Sequence, residues 1–498
     1  LMSGAAMGIP LWALISVIAI PLLSGTMPEW GAAQMRTHLP ALVGWILFGG
    51  SVSVLAQLCD ALATKVFGAE KEDAPTSKAT RRVLILGGGF AGMKTAERLE
   101  EELSGDPSVA ITLVSDTNAL LFTPMLADVA GSSLEPSHIS TPLRSSLHRT
   151  AFVRGSVVAI DLDRRAVRVG GDEISYDHLV LALGAVSNYL GLANVEQYAL
   201  DFKTLLDAIR IRNRVIEMFE RADREPDRVA RQSLLTFVVA GGGFAGVELA
   251  GAINDFAHGI LADYPRLRAS ELRTILVHSR ERILPELSES LGRYAQQRME
   301  VRGVQFRLNT RLTDAQPGIV VLGGETVPAG TLVWTAGTAP NPLLKSLPVE
   351  RDKRGAVLVD HAMAVPGHDG VWALGDCAAL VDSKTGKACP PTAQFALREA
   401  ELLAGNIRAA LDGRPGRAFH FDSLGALCVV GHQTACAELT LPFARSRSIR
   451  FSGLLAWFLW RSIYLSKLPG LERKTRVLID WTIELFFPRD IVQTIDLK

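Results

Sequence analysis

The order of apolar and polar residues divides this chain into an apolar N-terminal part and a longer mixed part. Residues 1–28 contain no charged side chain, and residues 37–58 contain His38 as their one ionisable side chain. Each stretch reaches the roughly 20 apolar residues that a helix needs to cross a bilayer. We therefore predict a transmembrane helical hairpin with helices at about residues 6–25 and 39–59.

Flanking charges predict the orientation of this hairpin. The segment that joins the helices contains Arg36, and several basic residues follow the second helix, namely Lys65, Lys71, Lys78, Arg81 and Arg82. By the positive-inside rule, the body of the protein is expected in the cytoplasm, at the cell membrane. A signal peptide is the alternative for the first stretch, but that stretch lacks a basic beginning and a second long apolar stretch follows it.

The residues after the hairpin are polar and include a proline, which is typical of a linker. We place the hairpin at residues 1–66 and the linker at 67–80. Beyond the linker, short apolar runs alternate with stretches of helical periodicity, which indicates an α/β protein with parallel sheets. Two of the apolar runs end in the same six residues, GGGFAG, at 87–92 and at 241–246. In both copies a helical pattern follows the glycines.

A strand, a GxGxxG turn and a helix in this order are typical of a dinucleotide-binding loop. The first glycine permits a tight turn, the second lets a pyrophosphate approach the backbone at the helix N-terminus, and the third lets the helix pack on the strand. The predicted binding residues are Gly87, Gly89, Phe90, Ala91 and Gly92 in the first copy and Gly241, Gly243 and Gly246 in the second. Two loops predict two Rossmann-like domains with two dinucleotides.

Composition narrows the function. The 498 residues suggest more than one domain, and 52 basic side chains balance 52 acidic ones, so the net charge does not favour nucleic acid as a partner. The five cysteines include no CxxC pair and no His/Cys cluster at zinc spacing, so no metal site is expected. Hydride transfer needs donor and acceptor rings face to face, so we expect FAD on one loop and NAD(P)H on the other.

Three further segments support a flavin site. YDHLVLALG ends at Gly184, TLVWTAG ends at Gly337, and VWALGDCAAL places Gly375 and Asp376 after an apolar run. The stretch PPTAQFALREAELLAGNI follows as a helix that begins near Gln394. An aspartate in this position is suited to the ribityl chain of FAD, and the helix N-terminus to the isoalloxazine.

Together, GGGFAG, YDHLVLALG, GGGFAGVELAG, TAG, ALGDCA and PPTAQFA resemble the pyridine-nucleotide disulfide oxidoreductase superfamily, and within it the type II NADH:quinone oxidoreductases, over residues 81–498. The resemblance implies a glutathione-reductase-like fold, with an FAD domain in two parts (81–195 and 331–445), an NAD(P)H domain (196–330) and a membrane-associated C-terminal segment (446–498). It implies FAD on the first loop, NADH on the second, and a membrane quinone that is reduced without proton pumping. It is also compatible with a homodimer.

The resemblance assigns roles to single residues. Glu248 corresponds to an acid that the family uses near the nicotinamide, although an acid in the first helical turn also compensates the helix dipole. Ala393 and Gln394 belong to the AQxA helix at the flavin, and Gln394, Phe395 and Arg398 are expected at the quinone. The family pattern AQxAxQ has a second glutamine where this chain has Arg398.

Cysteine positions discriminate among the relatives. A disulfide reductase needs a redox cysteine pair soon after the first loop, but no cysteine lies between Cys59 and Cys377. This class is therefore excluded. Sulfide:quinone oxidoreductases use cysteines near the flavin, at least one of them between the two loops, so they are a weaker alternative. A non-enzymatic membrane redox sensor is the other alternative.

The strands that follow the two loops end without the acid expected at the nucleotide ribose. Ser115 stands in that position after the first loop, with Asp116 next to it, and His278 stands there after the second loop. Arg280 and Arg282 follow His278. An acid would bind the 2′-hydroxyl of NADH, whereas arginines would accommodate a 2′-phosphate. We therefore expect the protein to accept NADPH as well as NADH.

The C-terminal segment is apolar and aromatic, with basic residues at its edges. Its aromatic residues include Trp457, Phe458, Trp460, Tyr464, Trp481, Phe486 and Phe487, and its basic residues include Arg450, Arg461, Lys467, Arg473, Lys474 and Arg476. This composition predicts a pair of helices that lie in the headgroup layer, where a lipid-dissolved quinone could enter. The alternative is a buried pair that covers the flavin domain.

Overall fold

The computed structural model describes residues 2–28, 37, 39–67, 79–441 and 444–493. Arg36 and most of the predicted linker lie outside these residues.

The described helices are, in chain order, α1 (Met2–Trp12), which continues through a π-helical segment (Ala13–Ala19) into α2 (Ile20–Leu23), α3 (Leu39–Phe67), α4 (Phe90–Glu102), α5 (Leu126–Ala130), α6 (Leu143–Ser146), α7 (Ala193–Tyr198), α8 (Leu205–Arg224), α9 (Arg228–Leu234), α10 (Phe244–Ile260), α11 (Glu289–Val301), α12 (Ala393–Leu411), α13 (Leu454–Lys467) and α14 (Leu471–Ile483). Short 3₁₀ turns occur at Thr123–Met125, Pro136–Ile139, Leu261–Asp263, Ala269–Glu271, Pro342–Ser346 and Gly375–Cys377.

The described strands are β1 (Arg81–Leu86), β2 (Val109–Ser115), β3 (Ala119–Leu121), β4 (Ser140–Pro142), β5 (Ala151–Arg154), β6 (Val157–Asp161), β7 (Ala166–Val169), β8 (Asp172–Ser175), β9 (His178–Leu181), β10 (Ala185–Ser187), β11 (Thr236–Ala240), β12 (Arg273–Val277), β13 (Val304–Arg307), β14 (Leu312–Gln316), β15 (Ile319–Leu322), β16 (Glu325–Pro328), β17 (Thr331–Trp334), β18 (Thr338–Pro340), β19 (Val357–Leu358), β20 (Val371–Ala373), β21 (Ala378–Ala379), β22 (Gly425–Val429), β23 (Ala435–Leu441) and β24 (Ala444–Gly453).

The N-terminal helices pack against each other. They contain two stretches, Ala6–Leu23 and Leu39–Leu58, that are long and apolar enough to cross a membrane by length and composition. Gly8 lets the helices approach closely, because a Cβ there would overlap the carbonyl group of Trp45. The Trp45 indole donates a hydrogen bond to the Ser16 hydroxyl at 3.1 Å. The second helix ends at Phe67, beyond the predicted end of about residue 59.

The first Rossmann-like unit is built on a parallel sheet with strand order β20-β9-β1-β2-β5. Both faces of this sheet are covered, so its strands are continuous apolar runs rather than alternating ones. On β1, Val83 and Ile85 face a core shared with α4 and α12. Leu84 and Leu86 face the opposite core, which the antiparallel strands β6, β7 and β8 complete.

A second unit repeats this plan. Its parallel sheet has the order β13-β12-β11-β17, and the antiparallel strands β14, β15 and β16 form a separate sheet beside it. In both units the strand that ends at the glycine loop lies inside the sheet, with a parallel neighbour on each side. The repeated hexapeptide therefore occupies equivalent positions in two similar units.

Two chain crossings join the units. The chain leaves the first sheet after β9 and returns to it after β17, and the crossing segments pair with each other as β10 and β18. Because β17 pairs with β11, the second unit includes residues 331–334. The predicted boundary at residue 330 is therefore too early by one strand.

The C-terminal part contains an antiparallel sheet, β22-β23-β24, followed by α13 and α14. Trp457, Trp460 and Trp481 are exposed by only 6%, 3% and 4%. Trp460 and Trp481 belong to the same core as α8 and α10 of the second unit. These tryptophans therefore pack against protein, as in the alternative of a buried helix pair, and the position of the helix pair in the headgroup layer stays a prediction. Phe486 and Phe487 are exposed.

Candidate functional site

The first glycine loop has the backbone that a bound pyrophosphate requires. Gly87 has φ +113°, which favours glycine. A Cβ at Gly92 would overlap the Gly87 carbonyl oxygen, so only glycine lets α4 pack this closely on β1. A Cβ at Gly89 would have no neighbour within 4 Å, so this glycine borders open space. No side chain caps the helix at Gly89, and its first N–H groups are free to receive phosphate oxygens.

The second loop repeats each of these features. Gly241 has φ +126°, and a Cβ at Gly246 would overlap the Gly241 carbonyl oxygen. Gly243 caps α10 without a side-chain hydrogen bond. The nearest atom to a Cβ at Gly243 would be a carboxylate oxygen of Glu286, 3.7 Å away. Both loops therefore have the same glycine backbone geometry, which suits a pyrophosphate.

Four of the predicted flavin residues meet at the carboxyl edge of the first sheet. Gly375 has φ +70°, and a Cβ there would lie 3.2 Å from the Cβ of Ala91, at the start of α4. This contact brings Asp376 to the first loop. Burial raises the pKa of the Asp376 carboxyl, while Lys203 and Arg354 oppose this rise. Gly184, with φ +64°, follows β9 at the same edge and has open space at its Cβ position.

Glu399 is a site residue that the sequence analysis missed. Its carboxylate accepts a hydrogen bond from the Gly375 N–H at 2.7 Å, so it holds the turn that carries Asp376. Burial raises its pKa to about 7. The signal in the sequence was an acid on the apolar face of α12, between the buried residues Ala396 and Leu403.

Gly337, a predicted cofactor-binding residue, contacts Asn188. A Cβ at Gly337 would be 2.7 Å from the Asn188 carbonyl oxygen, in the crossing between the units. Thr335, two residues earlier, contacts the second loop. Its hydroxyl donates to the Ala240 carbonyl oxygen at 2.9 Å. A Cβ at Gly241 would lie only 2.4 Å from this hydroxyl oxygen.

Ser115 and His278 occupy equivalent places beneath the loops, next to Gly88 and Gly242 respectively. A Cβ at Gly88 would be 2.7 Å from the Ser115 hydroxyl oxygen, and a Cβ at Gly242 would be 2.6 Å from the His278 ring. The Gly242 N–H donates to Nδ1 of His278 at 3.1 Å. Burial and Arg280 lower the pKa of His278, so the neutral ring that this hydrogen bond requires is favoured.

The charged residues after these strands differ in their exposure. Asp116 is exposed next to Ser115, and Arg280 is exposed two residues after His278. The guanidinium of Arg282 donates instead to the carbonyl oxygens of Leu284 and Leu287 at 3.2 and 3.0 Å, and to that of Pro285. Arg282 therefore stabilises its own loop, and Arg280 is the arginine available to a 2′-phosphate.

Gln394, the second residue of α12, connects the first unit to the C-terminal sheet. Its side-chain oxygen accepts from the Ser423 hydroxyl at 3.0 Å and from the Leu424 N–H at 3.3 Å. Ala393 precedes it as the first helical residue, after the Thr392 cap.

Two further predicted quinone residues share this junction. The Phe395 ring meets that of Phe421 edge to face, with centroids 5.2 Å apart. Arg398 is exposed, pairs with Glu401 at 2.8 Å and lies 5.6 Å from the centroid of the Phe421 ring.

Glu248 lies one turn into α10 and points away from the helix N-terminus, toward the C-terminal part. It accepts the N–H of Val429 at 3.2 Å. Burial raises its pKa to about 8, because the charged form loses water, and the nearby Asp128 adds to this rise while the Val429 N–H opposes it. Compensation of the helix dipole does not explain such a position. The carboxyl can carry a proton at neutral pH.

The described cysteines are free thiols, and Cys428 and Cys436 are buried opposite each other on β22 and β23. Cys377 is fully buried, its thiol donates to the Leu181 carbonyl oxygen at 3.2 Å, and burial raises its pKa to about 11. A thiol of this kind is a poor nucleophile at neutral pH. No group of metal ligands occurs among the residues that the structure describes.

Family models match most of the chain. The model described as pyridine nucleotide-disulphide oxidoreductase matches residues 81–400, and the one described as NDH2 C-terminal domain matches residues 424–490.

Curated relatives carry consistent names. The chain is 31% identical over 437 residues to a type II NADH:quinone oxidoreductase of Mycobacterium tuberculosis, which covers 83% of this chain and 90% of that protein. It is also 31% identical over 425 residues to a probable NADH dehydrogenase of Dictyostelium discoideum, covering 82% and 90% of the two chains.

Solved structures show the same fold. The structure of NDH2 from Plasmodium falciparum in complex with NADH matches with a TM-score of 0.74 at 18% identity, and covers 83% of this chain and 99% of that chain. The sulfide:quinone oxidoreductase of Aquifex aeolicus matches with a TM-score of 0.63 at 20% identity, covering 82% and 95%.

Proposed function

The chain belongs to the type II NADH:quinone oxidoreductases, within the pyridine nucleotide-disulphide oxidoreductase family, and we propose that its first glycine loop holds FAD and its second holds NADH. It is an FAD-dependent enzyme that oxidises NADH and reduces a quinone. The observation that carries the assignment of the loops is that Asp376 and the N-terminal part of α12 adjoin the first loop, whereas Glu286 and Thr335 adjoin the second.

Bound FAD supplies the chemistry, because a flavin accepts a hydride and passes on two electrons. The chain supplies binding and orientation. The free N–H groups after Gly89 and Gly243 receive the two pyrophosphates. Asp376 binds the ribityl hydroxyls, and Glu399 keeps it in place by holding the Gly375 turn. Arg280 donates hydrogen bonds to the 2′-phosphate when NADPH replaces NADH.

The quinone binds, in this proposal, at the junction of α12 with the C-terminal sheet. Gln394 is held there by Ser423 and Leu424, so its amide is fixed in orientation. The ring of Phe395 offers an apolar surface, and Arg398 lies at the exposed rim, where it takes the place of the family's second glutamine. Lys467 of α13 is close enough to Arg398 for the two charges to interact.

We further propose that the N-terminal helices anchor this site to the cell membrane, with the body in the cytoplasm. α1 packs on α13, where the Trp12 ring meets that of Phe458 edge to face with centroids 6.5 Å apart. Large apolar side chains are exposed on the outer surfaces of these helices, including Leu14, Leu23, Leu47, Phe48 and Leu55. Phe486 and Phe487 are also exposed, after α14.

The test of the function uses the protein purified in detergent. Its flavin is released by denaturation and identified, and initial rates are measured with a soluble quinone and NADH, NADPH or sulfide. We expect FAD and rapid oxidation of NADH. Bound FAD without quinone-dependent oxidation of NADH would instead favour a redox sensor, and a faster rate with sulfide would favour a sulfide:quinone oxidoreductase.

The test of the anchor compares the full chain with a variant that lacks residues 1–66, in flotation with liposomes. We expect the full chain to float and to resist extraction by salt, and the shortened chain to float poorly, because its exposed C-terminal apolar residues bury too little apolar surface for stable binding. Equal behaviour of both would contradict insertion of the hairpin.

Size-exclusion chromatography with light scattering tests the homodimer.

A further inference from the structure

The two glycine loops differ in what faces their second glycine. A Cβ at Gly89, in the first loop, would have no neighbour within 4 Å, whereas a Cβ at Gly243, in the second loop, would lie 3.7 Å from a carboxylate oxygen of Glu286. The second glycine is the point at which a pyrophosphate approaches the backbone. An acid therefore borders the phosphate position of the second loop, and open space borders that of the first.

Glu286 belongs to a turn that is fixed to the second loop. The N–H of Leu284 donates to the Gly242 carbonyl oxygen at 2.7 Å. Leu284 has φ +50°, a left-handed conformation that is uncommon for a bulky residue, and its side chain is buried. A residue keeps such a conformation only where the surrounding structure imposes it. The position of this turn is therefore set by its contacts with the protein.

Two further contacts hold the same turn. The guanidinium of Arg282 donates to three carbonyl oxygens between residues 284 and 287. On the other side, the N–H of Ser288 donates to the carboxylate of Glu438, on β23, at 2.9 Å. The backbone around Glu286 is thus anchored to the second loop and to the C-terminal sheet. Its carboxylate can leave the loop only by rotation of its own side chain.

No neighbouring side chain compensates the charge of Glu286. It is exposed and has neither a hydrogen bond nor an ion pair among the residues that the structure describes. Of the nearby arginines, Arg282 is occupied by carbonyl oxygens, and Arg280 does not lie within ion-pair distance of Glu286. An exposed carboxylate is charged at neutral pH. A pyrophosphate at Gly243 would therefore meet an uncompensated like charge.

We propose that Glu286 determines the affinity of the second loop, by weakening the binding of NADH and of NAD⁺ so that the nucleotide exchanges in every turnover. The inference rests on the proposed function, which places NADH on this loop. Substrate and product carry the same pyrophosphate, so its repulsion by the carboxylate speeds the departure of both. FAD on the first loop approaches Gly89, which no carboxylate borders within 4 Å, and it remains bound.

The decisive variant is Glu286→Gln, which keeps the shape of the side chain and removes its charge. ADP-ribose is the probe, because it carries the pyrophosphate, lacks the nicotinamide and binds without turnover. Its dissociation constant is measured by calorimetry on the FAD-loaded full chain in detergent, at about 0.05 M salt. Removal of one like charge close to the pyrophosphate is expected to lower this constant about 3- to 10-fold. The KM for NADH and the inhibition constant of NAD⁺ should fall with it.

Salt separates repulsion from a change of shape. The Debye length falls from about 10 Å at 0.1 M salt to about 3 Å at 1 M, so added salt screens a charge at an exposed position. The gain in affinity of Glu286→Gln is therefore expected to shrink below about twofold at 1 M salt. A gain of the same size at both salt concentrations overturns the electrostatic role.

Two matched variants complete the experiment. Glu289→Gln removes another exposed acid, three residues later, that pairs with Arg293 within its own helix, and should leave the dissociation constant of ADP-ribose unchanged. Glu286→Asp retains the charge and should bind ADP-ribose much as the wild type does. The ratio of flavin to protein absorbance should be the same in all variants, because the first loop is not altered.

The remaining outcomes decide against the proposal in different ways. Unchanged binding of ADP-ribose in Glu286→Gln, or an equal gain in Glu289→Gln, would show that Glu286 does not act on the pyrophosphate. Weaker binding in Glu286→Gln would show that the carboxylate binds the nucleotide instead of repelling it. Absence of binding in both the wild type and Glu286→Gln would contradict the NADH site itself together with this role, whereas unchanged binding contradicts the role alone.

Discussion

Replacement of the second glycine in each loop by alanine tests which loop binds which dinucleotide. Gly89 and Gly243 have nearly the same backbone, with φ −77° and ψ −170° in one and φ −80° and ψ −174° in the other. Alanine adopts this extended conformation without strain. An added Cβ has no neighbour within 4 Å at Gly89 and only Glu286 at 3.7 Å at Gly243. The protein alone therefore tolerates either change.

A bound pyrophosphate changes this outcome, because the added methyl group lies on the side from which the phosphate approaches. Forcing a methyl group into a close-packed contact costs about 1–3 kcal/mol, which is roughly a 5- to 150-fold loss of affinity. We expect Gly89→Ala to lose FAD during purification. Gly243→Ala should keep its FAD and show a raised KM for NADH by that factor, with a smaller change in kcat.

The assay combines the ratio of flavin to protein absorbance with KM and kcat for NADH and with thermal melting of the flavin-free protein. Gly405→Ala is the matched control, because Gly405 lies within α12 and its added Cβ would meet only the end of the Arg417 side chain at 3.4 Å. It should leave both ligands unaffected. Loss of FAD in Gly243→Ala, together with retained FAD and a raised KM for NADH in Gly89→Ala, would reverse the assignment. No effect of either change would show that phosphates do not approach these glycines.

Three further predictions concern single charged side chains. Arg280→Ala should raise the KM for NADPH about tenfold and leave the KM for NADH unchanged, because a charge-assisted contact to the 2′-phosphate contributes about 1.5 kcal/mol or more. An equal effect on both donors would contradict this role. Arg282→Ala, which loosens its loop, serves as the comparison. Glu399→Ala should reduce FAD retention more than Glu399→Gln, since alanine leaves the buried Gly375 N–H without an acceptor at a cost of about 1–3 kcal/mol; equal retention in equilibrium dialysis would exclude the positioning role. Burial raises the pKa of Glu248 to about 8, so the folded protein binds a proton that the unfolded chain releases above its ordinary pKa, and stability should fall as pH rises from about 5 to 8; Glu248→Gln should show a smaller fall of Tm over this range, and parallel Tm curves would refute the shift.

Several features were predictable because they depend on local sequence. The strand, glycine turn and helix around residues 87–92 and 241–246 need only neighbouring residues, and the structure has them where expected. The assignment to the type II NADH:quinone oxidoreductases, with FAD and NADH, is confirmed by the matches to known proteins. Two apolar helices were also expected, and their insertion into a membrane stays a prediction.

Other features were not predictable, because they depend on which distant residues meet. The sequence marked Gly337 as a binding residue, but Thr335 contacts the second loop. The sequence did not distinguish Arg280 from Arg282 as ligands of a 2′-phosphate, but in the structure Arg282 is hydrogen-bonded to carbonyl oxygens of its own loop. It left Glu399 unnoticed, although an acid on the buried face of a helix must find a partner.

The sequence by itself determined the two glycine loops and the apolar N-terminal helices, because glycine geometry and hydrophobic periodicity act over a few neighbouring residues. Only the tertiary structure decided that the tryptophans of α13 and α14 pack against protein, and that Asp128 and Glu248 face one cavity. Burial raises the pKa of both acids, and the charged groups around them modify this rise. Both effects depend on surroundings built from segments far apart in the chain, so no local pattern encodes them.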